Sequence, residues 1–195
     1  FITATDGNHG RGVAWTATTL GQKSVVHMPR GSAPERLHNI QAAGANADII
    51  EGNYDDAVRL SRKEAAENGW VIVQDTSWEG YEEIPAWIMQ GYGTMGSEAL
   101  DQLEGYGVER PDLVILQAGV GCMAGAICAY IVNRYKENPP KIVIAEAAIA
   151  DCLYQGAVAN DGKYRIVDGD LQTIMAGLAC GEPNILGWDI LRNHV

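Results

Sequence analysis

Short apolar runs rich in β-branched residues, at 24–28, 47–51, 71–74, 113–116 and 142–145, alternate along this chain with longer stretches whose apolar residues recur at helical spacing. This alternation limits the fold more than any other feature. Runs so short and so uniformly apolar predict strands of a sheet covered on both faces, and parallel neighbours require a crossover of a dozen or more residues. The stretches at 10–20, 33–43, 55–68, 85–103, 123–137 and 184–194 have the length and pattern to be those helices, with Pro34 and Pro85 suited to first-turn positions. The expected architecture is α/β: open, mostly parallel sheets covered by helices. A break near Tyr81 divides it into two lobes, a smaller one at 1–81 and a larger one at 82–195. The segment 155–172 is polar and glycine-rich, which predicts a mobile loop.

Composition removes several function classes. The formal net charge of −11 repels phosphate backbones and anionic lipid, so neither a nucleic acid nor a membrane surface is expected as a partner. No apolar run is long enough to span a bilayer. Cys122, Cys128, Cys152 and Cys180 form no C-x-x-C pair, and His9, His27, His38 and His194 share no ligand spacing with them, so no metal site is expected. These features fit a soluble protein in a reducing, cytoplasmic setting, with pairing of Cys152 and Cys180 left open.

Two turns carry the functional groups. The string TDGNHG at 5–10 sets a hydroxyl, a carboxylate and an amide on one short loop before a helical pattern. Read alone, it is equally a capped βα connection in which Asp6 or Asn8 satisfies the first helix amides. The string QAGVGCMAG at 117–125 follows a strand pattern and opens a helix, so its amides meet the positive end of a helix dipole, where a phosphate is favoured. It lacks the G-x-G-x-x-G of a dinucleotide site and the lysine of a P-loop. Asp75 follows the run at 71–74 and so stands at a strand's carboxyl end, where ligands gather in open α/β sheets; an Asx-turn role is the alternative.

These strings, with QGYGTMGSE at 90–98, resemble in the same order the fold type II pyridoxal-phosphate enzymes, the threonine dehydratase and cysteine synthase group with its tryptophan synthase β-like fold. Within that group, TATDGNHGRGVAW at 3–15, VQDTSWEGYEEIPAWIMQGY at 73–92 and TIMAGLACGEPN at 173–184 look most like the ammonia-lyases acting on diaminopropionate. The resemblance implies pyridoxal 5'-phosphate as cofactor and a small amino acid as substrate. It also implies a homodimer, and α,β-elimination of 2,3-diaminopropionate to pyruvate and ammonia. It further implies that the amides of Gly119, Val120, Gly121, Cys122 and Met123 hold the cofactor phosphate. Asn8 then bonds its ring hydroxyl, Thr5 receives the substrate carboxylate, and Glu146 lies near the pyridine ring.

Asp6 departs from the group, whose dehydratases and synthases usually place a small residue before Gly-Asn. A carboxylate there offers an acid-base group and attracts a cationic substrate side chain, both needed for diaminopropionate and not for serine. Asp75 is the expected second base, so that α-hydrogens on either face of the cofactor can be removed. The group's Schiff-base lysine, expected before the asparagine loop, matches none of the chain's lysines, and the partner of the pyridine nitrogen is not identifiable. The expectation is therefore an internal portion of a longer enzyme, inactive alone. A serine or threonine dehydratase or cysteine synthase, or a non-catalytic pyridoxal-phosphate or phosphate-ligand binding module, are the alternatives.

Overall fold

The computed structural model describes residues 1–5 and 7–195, and the chain forms two compact units, Phe1–Gln74 with Gly169–Cys180 and Asp75–Asp168 with Gly181–Val195. The first unit is built on strands β1 (Ile2–Ala4), β2 (Val25–Met28) and β3 (Asn46–Ile49), all parallel and in that spatial order. Helices α1 (Asn8–Thr19), α2 (Pro34–Ala42) and α3 (Tyr54–Asn68) belong to the same unit. Its core gathers Ala14, Val26, Met28, Ile40 and Ala47. Local signals explain the helix ends: Pro34 stands in the first turn of α2, while α3 starts with a reciprocal Asn53–Asp56 capping box and stops at Gly69 in the left-handed region.

The run at 71–74, expected as a strand, makes only an isolated bridge between Ile72 and Ile2. The reason is the Gln74 side chain. Ile2 N–H donates to Val71 O and Val73 N–H to Ile2 O, but at Ala4 the buried Gln74 amide replaces the main chain. Its Oε1 accepts from Ala4 N–H at 2.8 Å and its Nε2 donates to Ala4 O at 3.2 Å. The Gln74 side chain thus stands at Ala4 where a main-chain rung would otherwise pair.

In the second unit, β4 (Leu113–Gln117) and β5 (Lys141–Ala145) pair in parallel, with α4 (Glu83–Gly105), α5 (Cys122–Tyr135), α6 (Cys152–Ala159) and α7 (Ile185–His194). Leu116, Ile127, Ile131, Leu153, Trp188 and Leu191 form its core. The glycines of 90–98 lie inside α4 and not in a turn. A Cβ on Gly96 would stand 3.1 Å from the Tyr130 ring and 3.2 Å from Ile127, so the small residue brings α4 close to α5. In this chain Leu113 and Ile115 of β4 are exposed, whereas Leu116 and Ile142 are buried. The segment 155–172 is not a structureless loop, because it begins within α6. Gly156 looks like a turn residue in sequence, yet it is a helical contact: a Cβ there would fall 2.6 Å from the Trp188 ring.

Candidate functional site

In the first unit, the asparagine loop is organised by Thr5. Its buried hydroxyl oxygen accepts from Gly7 N–H at 2.8 Å and Gly10 N–H at 3.0 Å, capping the start of α1. The Thr5 O–H is left able to donate to another group. Gly10 is required for space, because a Cβ would lie 2.3 Å from Thr5 Cγ2 and 2.9 Å from Val26 Cγ1. Gly7 is in extended backbone, and a Cβ there would make ordinary contact. Asn8 opens α1 and is exposed. His9 faces inward through Nε2, 2.8 Å from Val73 O and 3.0 Å from Thr3 Oγ1, which ties the loop to β1 and to the residue before Gln74. Asp6 lies outside the described residues.

In the second unit, β4 runs into the glycine turn and then α5. Gly121 caps α5 in the left-handed region, φ 89°, where any side chain is strained, and a Cβ there would also press on Leu153 at 3.2 Å. Val120, Gly121 and Cys122 are buried. Among the described residues, the amides of Gly119, Val120, Gly121, Cys122 and Met123 donate to no protein acceptor. Buried amides without acceptors are costly, and a run of them at a helix N-terminus suits a dianionic phosphate. The turn's carbonyls, by contrast, are used: Gly121 O accepts from Gly125 N–H and Val120 O from Asn184 N–H at 2.7 Å.

Asp75 stands half-buried in the same unit, and its charge is felt at the turn. Burial, then the Asp75 carboxylate, push the Cys122 thiol well above its ordinary range, and the same two causes, followed by Cys122, raise Tyr92 to about 12. Both groups therefore stay protonated and neutral. Glu146 is neither free nor a plain surface carboxylate. Its oxygens accept from Leu153 N–H at 3.0 Å and Tyr154 N–H at 2.8 Å, so it caps α6; burial raises its pKa, partly opposed by these two bonds.

One buried polar junction was not legible in the sequence. Asn184, fully buried, accepts from Ser77 Oγ and Gly187 N–H and donates to Asp75 O. The only signal for it was an asparagine just before a helical pattern. Cavities of about 520 Å³ in the first unit, beside Arg30, Ser32 and Asp170, and about 540 Å³ in the second, beside Glu146, Tyr154 and Arg192, take in neither the glycine turn nor Asp75. Among the described residues, no cluster of histidine, cysteine, aspartate or glutamate could hold a metal, and no helix is long and apolar enough to cross a membrane.

Parallel α/β units with an amide-lined glycine turn at a helix start, a nearby carboxylate and a hydroxyl-capped asparagine loop define a phosphate-cofactor protein of the open-sheet class. The chain belongs to the pyridoxal-phosphate dependent enzymes, whose family model matches residues 1–195, and its fold is that of fold type II. It is 56% identical over 194 residues to the diaminopropionate ammonia-lyase of Salmonella typhimurium, covering 100% of this chain and 48% of that protein. The Escherichia coli K12 enzyme of the same name is 54% identical over 193 residues, 99% of this chain and 48% of its own length. The Escherichia coli diaminopropionate ammonia-lyase crystallised with D-serine superposes with a TM-score of 0.91 at 52% identity, covering 100% of this chain and 48% of that one. A second structure of that enzyme, with an aminoacrylate-PLP azomethine reaction intermediate, matches equally, at 49% of its length. The chain spans about half the length of the curated relatives it matches.

Proposed function

We propose that this chain is the cofactor-holding portion of an ammonia-lyase that converts 2,3-diaminopropionate, by α,β-elimination and hydrolysis, to pyruvate and ammonia. The observation that carries the reading is the row of acceptor-free amides from Gly119 to Met123 at the start of α5, a cradle that fits the phosphate of pyridoxal phosphate. When bound, that cofactor supplies an electron sink for negative charge at the substrate Cα. Gly119, Val120, Gly121, Cys122 and Met123 hold its phosphate through main-chain N–H groups, and Asn8 bonds its ring hydroxyl. Thr5, whose oxygen already serves two amides, donates its O–H to the substrate carboxylate.

Asp6 and Asp75 carry the proton transfers. One takes the Cα proton or returns a proton to the departing amine, and their charge favours a substrate with a cationic second amine. Support for Asp75 comes from its place just before Thr76 and Ser77, half-buried in the unit that carries the glycine turn, where its charge acts on Cys122 and Tyr92. The two-lobe reading, 1–81 and 82–195, belongs to the same proposal; the compact units part at Gln74, and Gly169–Cys180 joins the first of them. A homodimer, which the group resemblance implies, and the cytoplasmic setting that the composition suggests belong to the same proposal.

Stoichiometry tests the reading in the complete gene product. Diaminopropionate plus one water yields one pyruvate and two ammonia, whereas serine yields one of each. Coupled assays of pyruvate and ammonia on diaminopropionate are expected to give the two-to-one ratio. Ammonia without pyruvate would mean that only one amine leaves, without elimination through to the keto acid.

A further inference from the structure

Asn184 is a fully buried polar side chain whose bonding capacity is spent on three separate pieces of the second unit. Its Oδ1 accepts from Gly187 N–H at 2.8 Å, which caps α7, and from Ser77 Oγ at 2.8 Å. Its Nδ2 donates to the main-chain carbonyl of Asp75 at 2.6 Å, and its own N–H donates to Val120 O in the glycine turn at 2.7 Å. Ser77 Oγ completes the junction by accepting from Leu186 N–H at 3.3 Å. The approach is too close for any side chain other than hydrogen at Gly187, where a Cβ would stand 2.5 Å from Gly121 O. The loop carrying Asp75, the turn carrying the amides and the start of α7 therefore meet at one residue.

A helix cap alone does not call for asparagine, because aspartate, serine and threonine cap as well. What asparagine adds is acceptance from Gly187 and Ser77 together with donation to the Asp75 carbonyl. We propose that Asn184 is a positioning residue, which fixes the main chain of Asp75 against the glycine turn so that the carboxylate is aimed at the substrate Cα. This inference rests on the reading of Asp75 as a base. Its energetic basis is the sensitivity of proton transfer to placement, where an error of about 1 Å costs on the order of a hundredfold in rate.

Asn184→Asp separates the two roles, since it keeps an acceptor for Gly187 and sets a carboxylate oxygen where Nδ2 had donated to Asp75 O. In the complete gene product, steady-state kinetics with separate D and L diaminopropionate identify which enantiomer depends on Asp75 through Asp75→Asn. Asn184→Asp is expected to lower kcat for that enantiomer by about 10- to 100-fold and for the other by less than about threefold. Titration of the apo protein with pyridoxal phosphate is expected to give unchanged affinity, because the bond to Val120 uses the Asn184 main chain. Asn184→Ser, which retains a capping hydroxyl but cannot donate across to Asp75 O, is expected to show the same selectivity if the aspartate variant does not fold. Equal losses for both enantiomers, no loss at all, or a parallel fall in cofactor affinity overturn the inference while leaving Asp75 as the base. An Asp75→Asn variant without enantiomer preference removes the base reading, and the positioning role with it.

Discussion

Turnover of diaminopropionate by the complete gene product is expected to fall by roughly 10² to 10⁴ in Asp6→Asn and in Asp75→Asn, the usual worth of a positioned general base. Bound pyridoxal phosphate is expected to remain stoichiometric in both, because neither carboxylate is assigned to hold the cofactor. The substitutions keep size and much of the hydrogen bonding but remove the base. If the two aspartates serve opposite faces of the cofactor, each variant damages one enantiomer far more than the other, and the two patterns are reciprocal. Equal, modest losses for both enantiomers in both variants would reduce the aspartates to turn residues. Cofactor absorbance, recorded on the same samples, separates lost chemistry from lost cofactor.

Cofactor affinity itself is expected to collapse in Gly121→Val. The native φ of 89° is closed to a β-branched residue, so the amides on either side must turn away, and the new side chain presses on Leu153 and Leu191. Each charge-assisted hydrogen bond lost is worth roughly 1.5 to 3 kcal/mol, so losing two or more weakens binding by at least about a hundredfold. Equilibrium titration with pyridoxal phosphate measures this, and a thermal unfolding transition checks that the variant is folded. Native affinity in a folded Gly121→Val protein would move the phosphate away from the turn.

How far the sequence disclosed this arrangement depended on whether a feature was local. The β-branched runs at 24–28, 113–116 and 142–145 and the capping signals around α3 act within a few residues, and the structure places elements there with ends shifted by one or two positions. The glycine turn was legible because strand, glycines and helix pattern are contiguous, and its acceptor-free amides follow from that order. What was hidden came from distant partners. Residue 74 reads as strand until its amide pairs with Ala4, seventy positions away. Gly156 reads as a loop former until Trp188 packs against it. Nothing local to Glu146 shows that it meets the amides of α6, or to Asn184 that it reaches Asp75 and Ser77. Propensity and periodicity carry no information about such tertiary hydrogen bonds.

Substrate preference tests the central claim most directly. Asp6 is the feature that separates this loop from those of serine and threonine dehydratases and cysteine synthases, and its proposed service is to a substrate with a second, cationic amine. Under saturating pyridoxal phosphate, kcat/KM of the complete gene product is measured for 2,3-diaminopropionate, serine and threonine by pyruvate or oxobutyrate formation. Diaminopropionate is expected to exceed both hydroxy amino acids by at least about a hundredfold, the discrimination of roughly 2.7 kcal/mol that one well-placed charge interaction supplies. A kcat/KM for serine or threonine equal to or above that for diaminopropionate would contradict the account and make the chain part of a dehydratase.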